Sequence, residues 1–423
     1  MQISTIHLAN IRGFQNLTIN CAPQAGERGS ITLIIGQNGT GKTTLLRAIA
    51  LALCDLPDAN ALIAEPIGGL VTNGSETGDV VLIQGGRANL RADVTDDYNL
   101  WGKRLGREIQ ISRNEETHQE SVTQGILQTH TVFVSNLVCG YGVGRTGGGQ
   151  ADRVRGRQSY RIMDSVRSLF DYDYSMQSPE LTLRRLRDFV GTEHFSDYLD
   201  AIKLSLGLSA HDTIRLEKGG GVTIEGETVG GSIPFEAWAD GYRATFNWII
   251  DLFGWSIQAN MGASNDIQGT LLIDEVEQHL HPSLQVEVLP RLARLFPNMQ
   301  IIATTHSPLV ALGVKPESVT VLQRDHDGKI VVGPTPDFSG YSVEDILEDD
   351  RIFNTKKIYT LETSRKRAEY HQLVKQPDHL RSPTNTDRMR ALAQELRAQQ
   401  LPEFRQPVVD LELQRILQRH NQQ

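Results

Sequence analysis

Cysteine is scarce: three thiols, Cys21, Cys54 and Cys139, stand far apart and no CxxC pair occurs. That leaves no basis for a disulfide framework or a thiolate zinc site, and it fits a reducing compartment. Long hydrophobic runs are missing too. No stretch reaches the roughly 18 consecutive apolar residues of a membrane-spanning helix. The opening MQISTIHLANIRGF lacks the apolar core of a signal peptide. The expectation is a cytoplasmic protein with no membrane partner. Positive charge is short in the sum: a formal net charge of −9 argues against indiscriminate coating of nucleic acid, although not against a local basic patch. No internal repeat, low-complexity tract or sustained heptad pattern is present, which excludes solenoids and long coiled coils. What is there suits folding. With 39% hydrophobic and 22% charged residues over 423 positions, the chain calls for more than one core.

Ile3, Ile6 and Leu8, then Leu17 and Ile19, predict a hairpin with Arg12-Gly13-Phe14 at its turn. Residues 31–35 are a continuous apolar run of buried-strand type, followed by a glycine-rich loop and an apolar helix from Thr43 to Leu53. This is the opening strand–loop–helix unit of an α/β nucleotide-binding sheet. Residues 55–130 lean toward β structure, with strands at 79–84 and 88–94, and a further strand at 131–135 leads into Gly140-Tyr-Gly-Val-Gly-Arg145. Downstream, periodicity predicts helices within 155–210, a hairpin over 213–232 and a helix over 235–254. Strands follow at 270–273, 300–304 and 318–323, with helices at 282–295, 386–400 and 408–419.

The strongest chemical signal is Gly36-Gln37-Asn38-Gly39-Thr40-Gly41-Lys42-Thr43, a GxxxxGK[ST] loop with a strand before it and a helix after it. Its glycines let main chain wrap close to phosphate, and the helix N-terminus presents amides and a positive dipole end. Lys42 is expected to bridge the β- and γ-phosphates of ATP, with Thr43 ligating Mg²⁺ and Thr44 completing the loop. At the end of an apolar strand, Asp274 is the second candidate Mg²⁺ ligand and Glu275 the candidate general base. His279 and His281 raise zinc as an alternative. The lack of further Cys or His nearby speaks against it. His306, at the C-terminal end of the next strand, stands where open α/β sheets place ligand-contacting groups and is a candidate for the γ-phosphate.

Taken together, GQNGTGKT, LLIDE with ExHLHP, TTHSP and the N-terminal LANIRGF resemble the RecF, SMC and OLD branch of ABC-type ATPases. The resemblance implies an α/β ATPase head, a mixed sheet plus an antiparallel β subdomain, with an inserted helical lobe and a helical C-terminal tail. The expected division is 1–144 for the first ATPase lobe, 145–234 for the helical insert, 235–335 for the second lobe, and 336–423 for a partner- or oligomer-contacting region. It implies ATP held between two protomers of a homo-oligomer, with Asp240, Gly241 and Tyr242 as a signature turn reaching the nucleotide of the other copy. Ala239 stands where the signature serine would be, so one hydroxyl contact is missing. Arg12 matches an arginine near the nucleotide. The family's Q-loop glutamine is not evident: Gln84 ends its strand too early, and the appropriate strand ends in GYGVGR instead.

GYGVGR, SLFDYDYSMQSPELTLRRLRDF, WADGYRATFNWIIDLFG and GYSVEDIL are more specifically similar to the Septu anti-phage defence ATPases, which work with a separate HNH nuclease subunit. Acidic clusters of the kind the OLD nucleases carry are absent from the sequence. The alternative reading is a RecF-like ATPase of DNA repair that binds DNA itself; a membrane-transporter ATPase fits poorly. Arg153, Arg155, Arg157, Arg161 and Arg167, opposed only by Asp164, are the candidate DNA contact, with a solvated or salt-bridged helix face as the plain alternative. From Arg351 onward, 14 Lys/Arg face 8 Asp/Glu. There Met389, Leu392 and Leu396 offer an apolar face for the chain's own body or a partner.

Overall fold

In this computed structural model the described residues are 2–21, 29–64, 69–85, 106–114, 116–124, 137–145, 160–217, 221–227, 230–259, 267–338, 340–349, 351–353, 361–375 and 383–398. The chain opens with a hairpin of β1 (Gln2–Ile11) and β2 (Phe14–Asn20). Next come β3 (Ser30–Gly36), α1 (Lys42–Leu53), α2 (Leu56–Ile63), β4 (Thr77–Gly85), β5 (Gly106–Arg113), β6 (Glu120–Gln124) and β7 (Leu137–Tyr141). A helical stretch follows, with α3 (Ile162–Val166), α4 (Pro179–Val190) and α5 (Thr192–Ser205). After it come β8 (Thr213–Leu216), β9 (Val222–Gly226), β10 (Gly231–Pro234) and the long α6 (Asp240–Gln258). The chain then alternates through β11 (Gly269–Ile273), α7 (Pro282–Gln285), α8 (Val288–Leu295), β12 (Met299–Thr305), α9 (Pro308–Leu312), β13 (Val319–Arg324), β14 (Ile330–Gly333) and α10 (Val343–Glu348). Two more helices, α11 (Leu361–Lys375) and α12 (Pro383–Ala398), complete the described elements.

A six-stranded sheet in the order β14-β13-β3-β12-β11-β7 carries the site. From β13 to β7 its pairs are parallel, and β14 adds an antiparallel edge. Parallel strands are covered on both faces, which explains why β3, β11 and β12 read as unbroken apolar runs. Alternate side chains serve two cores. Leu33, Ile35, Leu271, Ile273 and Ile301 pack with Trp248, Ile249 and Leu252 of α6. Ile34, Leu272 and Ile302 pack with Leu45, Leu46 and Ile49 of α1. Beyond α1 lies a five-stranded antiparallel sheet, β2-β1-β4-β5-β6, whose Val80, Leu82 and Ile109 close the same core. Helix α1 is buried almost all round, as a helix sandwiched between two sheets must be. Gln300, fully buried, ties the sheets together: its side-chain amide donates to the Ile3 carbonyl (2.7 Å) and its oxygen accepts from the Ile3 N–H (2.8 Å).

Several expectations need correction. The stretch 213–232 is three strands, β10-β9-β8, because the chain turns again at Gly230 (φ 71°) and lays Gly231–Pro234 along β9. The expected helix 282–295 is split into α7 and α8. Pro290 has no N–H to give the Val286 carbonyl, so the ladder breaks there. The helix expected from 235 begins at Asp240, preceded by a 3₁₀ turn at Phe235–Ala237 and an extended Ala239. The strand that ends in GYGVGR is β7, whose last residues are Gly140 and Tyr141. The strands expected at 88–94 and 131–135 and the helix at 408–419 lie outside the described residues.

By internal contacts the chain divides into Met1–Asn354 and Thr355–Gln423, so residues 336–354 fall within the first unit. In the second unit, Met389, Leu392 and Leu396 are buried in a cluster with Tyr370 and Leu373 of α11. Ion pairs Arg388–Glu369 and Lys366–Glu395 brace the same two helices. The apolar face of α12 is therefore used against α11.

Candidate functional site

The site lies where β3, β11 and β12 end side by side. The loop after β3 turns left-handed at Gly39 (φ 76°) and Gly41 (φ 81°), which glycine adopts at little cost. A side chain at Gly41 would also strike the Phe14 ring, its Cβ falling 2.6 Å away. Gly41 caps α1 without a side-chain acceptor and no acidic residue occupies the first turn, so the helix's amides and dipole face the loop uncompensated. Lys42 bends back over the loop, donating to the carbonyls of Gly36 (2.8 Å) and Gln37 (3.1 Å). Burial lowers its pKa to about 8, against the opposing pull of Asp274, Glu277 and Glu275. Thr40 donates to the Gln37 carbonyl, and the Gln37 amide donates to the Phe353 carbonyl. Asn38 is exposed at the loop's crest. Arg324, from the end of β13, donates to the Gly39 carbonyl at 2.8 Å, a loop contact that no motif announced.

Asp274 is buried just past β11. Its two oxygens accept from Thr43 Oγ1 (2.7 Å) and Thr304 Oγ1 (2.5 Å). A hydroxyl and a carboxylate brought together at the loop are hard oxygen donors, the set that suits Mg²⁺ with its remaining positions filled by water and phosphate. Among the described residues no group of three or more His, Cys, Asp and Glu could hold a metal ion. His281 is engaged elsewhere, capping α7 by accepting from the Ser283 N–H.

Glu275 adopts φ 45°, its N–H donating to Thr304 Oγ1 at 2.9 Å. Its carboxyl is partly exposed, and burial, then Asp274 and Glu277, raise its pKa. His306 stands 4.0 Å by Nε2 from Glu275 and 3.4 Å by Nδ1 from Lys42. Burial, then the Lys42 charge, lowers the imidazole pKa and favours the neutral ring. With the Lys42 ammonium donating to Nδ1, the ring proton sits on Nε2 and faces Glu275.

Two site residues were not singled out in the sequence. Glu277 holds the end of β12, one oxygen accepting from Thr305 Oγ1 (2.6 Å) and the other from the His306 N–H (2.7 Å). Arg145, 2% exposed, donates to the carbonyls of Gly142 (3.0 Å), Asp274 (2.5 Å) and Glu275 (2.5 Å). The signal for it was GYGVGR at the position of the missing Q-loop. Gln84, by contrast, lies in β4 of the antiparallel sheet.

Arg12 (φ 47°) reaches α1, donating from Nη1 to Thr44 Oγ1 at 3.2 Å and from Nε to the Gly69 carbonyl at 2.8 Å. Asp240, Gly241 and Tyr242 form the first turn of α6. Asp240 pairs with Arg243 (2.7 Å), and Gly241 packs on the His279 carbonyl, where a Cβ would lie 2.3 Å from the oxygen. Ala239 is the N-cap and offers no side-chain acceptor, so this helix end too presents open amides. Of the basic cluster, Arg161 pairs with Asp58 and Arg167 with Asp171 (3.6 Å), while Arg153, Arg155 and Arg157 lie outside the described residues. Among the described residues no helix is long and apolar enough to cross a membrane.

Two family profiles match the chain: one described as "AAA domain" over residues 5–138, and one described as "AAA domain, putative AbiEii toxin, Type IV TA system" over residues 152–312. With the site above, both profiles support an ATPase. Within that class it is similar to the Septu protein PtuA of Bacillus mycoides, 23% identical over 361 residues covering 82% of this chain and 44% of that protein. It is also similar to the Retron Ec83 probable ATPase of Escherichia coli, 36% identical over 91 residues, 21% of this chain and 17% of that protein. The chain spans less than half the length of these curated relatives. Among solved structures, an SMC head domain from Thermotoga maritima aligns with 12% identity and a TM-score of 0.41, covering 79% of this chain and 100% of that one.

Proposed function

We propose that this chain binds ATP with Mg²⁺ in the loop after β3, hydrolyses it, and closes on a second copy around the nucleotide to control a separate nuclease subunit, of the HNH type, in cytoplasmic anti-phage defence. The observation that carries the reading is the meeting of Lys42, the Thr43–Asp274 pair, Glu275 and His306 at the ends of neighbouring strands. In this reading the loop amides and the α1 dipole hold the phosphates, and Lys42 exchanges its two main-chain acceptors for phosphate oxygens. Thr43 and Asp274 would hold Mg²⁺, and the bound ion would supply charge neutralisation to the phosphate oxygens. Glu275 accepts hydrogen bonds from the attacking water, its raised pKa making it a better proton acceptor than an ordinary carboxylate. His306 offers Nε2–H toward the same space. The open amides of Gly241 and Tyr242 supply the donors for the second copy's nucleotide, without a serine hydroxyl at position 239.

The defence role and the nuclease partner rest on similarity to PtuA and to the retron ATPase. The test is copurification of the chain with the products of neighbouring genes, with and without ATP. A nuclease that stays bound in an ATP-dependent way supports the reading. Tight ATP-dependent binding of DNA by the chain alone would replace it with a repair-type function.

A further inference from the structure

We infer that Arg145 is a positioning residue for hydrolysis: its guanidinium fixes the main chain of Asp274 and Glu275 and thereby sets the magnesium ligand and the general base in place. The inference rests on the nucleotide reading above and names a residue that reading does not use. Three observations carry it. First, the guanidinium is buried, yet it makes no direct ion pair with the nearby carboxylates. Its donors go to carbonyls, Nη1 to Gly142 and Asp274 and Nη2 to Glu275, so that the fork holds the peptide groups on either side of the Glu275 Cα. Second, the residue between those two carbonyls is strained. Glu275 sits at φ 45°, a conformation that costs a side-chain-bearing residue about 1–2 kcal/mol and persists only where neighbours over-determine it. Arg145 and the Gln278 N–H (2.9 Å) on the Glu275 carbonyl, and Thr304 on its N–H, are those neighbours.

Third, the segment that presents Arg145 is itself wedged. A Cβ at Gly142 would fall 2.1 Å from the Ser168 carbonyl oxygen, and one at Gly144 would fall 2.3 Å from that of Tyr172. The Asp274 N–H also donates to the Tyr141 carbonyl at 2.8 Å, so residues 141–145 grip the end of β11 through both donors and acceptors. The glycines of GYGVGR thus allow close approach, and its arginine uses that approach. Burial lowers the Arg145 pKa to about 10, against the opposing pull of Asp274, Glu277 and Glu275, and the guanidinium stays charged near those three carboxylates. A lysine would keep that charge but could not span two carbonyls from one planar group.

The experiment titrates a fluorescent ATP analogue into wild type, Arg145→Ala and Arg145→Lys, in EDTA and in Mg²⁺, and measures ATP turnover alongside. Magnesium-free affinity should stay within about twofold of wild type in both variants, because Lys42 and the loop amides are untouched. The further affinity that Mg²⁺ confers should fall by about 10-fold or more, as it does when groups orienting a metal ligand are removed. Turnover should show a lower kcat with a smaller change in KM, and lysine should not restore it. Arg145→Ala removes three side-chain hydrogen bonds and leaves the Asp274 carbonyl without the donor it has here; should it fail to fold, Arg145→Lys alone decides by the same two affinities. Full magnesium dependence and wild-type turnover in either variant would overturn the inference. So would equal losses with and without Mg²⁺, which mark general damage. Lys42→Ala is the control. If it binds the analogue as well as wild type does, the nucleotide reading itself falls.

Discussion

The ammonium nitrogen of Lys42 stands 3.4 Å from Nδ1 of His306, a residue 264 positions away in sequence. The two meet because β3 and β12 are parallel neighbours and both chains leave the sheet at the same end. Burial holds the Lys42 ammonium at a pKa of about 8, well under the ordinary 10.5. Phosphate beside it stabilises the charged form, so the bound-state pKa lies higher. Nucleotide binding should therefore take up protons above pH 8. Affinity should be full below about pH 8 and decline above it, by up to about tenfold per pH unit. Calorimetry in buffers of differing ionisation enthalpy reads the uptake, and Lys42→Ala should abolish both it and most of the binding. A pH-independent affinity from 7 to 9.5 would contradict this placement.

Glu275→Gln keeps the shape of the base and removes its capacity to take a proton. Turnover should fall by about 10²- to 10⁴-fold, the range for loss of a general base, while ATP binding survives. Under the proposed two-copy closure the variant should accumulate in a heavier, ATP-bound form. Light scattering behind size exclusion gives the mass with and without ATP. An unchanged mass would count against closure.

Ala239→Ser adds an N-cap hydroxyl to a helix end that lacks one. The apo protein should gain about 0.5–2 kcal/mol, read from chemical denaturation. Turnover should rise if the same hydroxyl reaches the nucleotide of a second copy. A stability gain with unchanged turnover would assign the position to capping alone.

Gln300→Leu removes the amide that satisfies both main-chain groups of Ile3. Two buried polar groups lose their partner, at about 1–3 kcal/mol each. The melting temperature should drop by several degrees. No drop would mean that Ile3 finds other partners when the sheets part slightly.

The parts of the site that follow local rules could be read from the sequence. The phosphate loop has its own glycines, its strand and its helix within a few residues, and Asp274-Glu275 closes the apolar run Leu271-Leu272-Ile273. Arg145 could not be read so. Its acceptors are main-chain carbonyls 129 and 130 positions away, which no side-chain pattern encodes. Glu277 was visible as part of a motif, but its two partners on β12 were not. In the fold, β10 was missed because Gly230-Gly231-Ser232 reads as a turn, and only pairing with β9 makes the next residues a strand. Pro290 marked a break that apolar periodicity alone passed over.

Strand β3 has β12 on one side and β13 on the other, and both are made long after it. While a ribosome has yet to deliver Arg324, the phosphate loop hangs from a strand without its full set of neighbours. Incomplete translation products therefore carry the motif but not the pocket. Such fragments should be inert toward ATP.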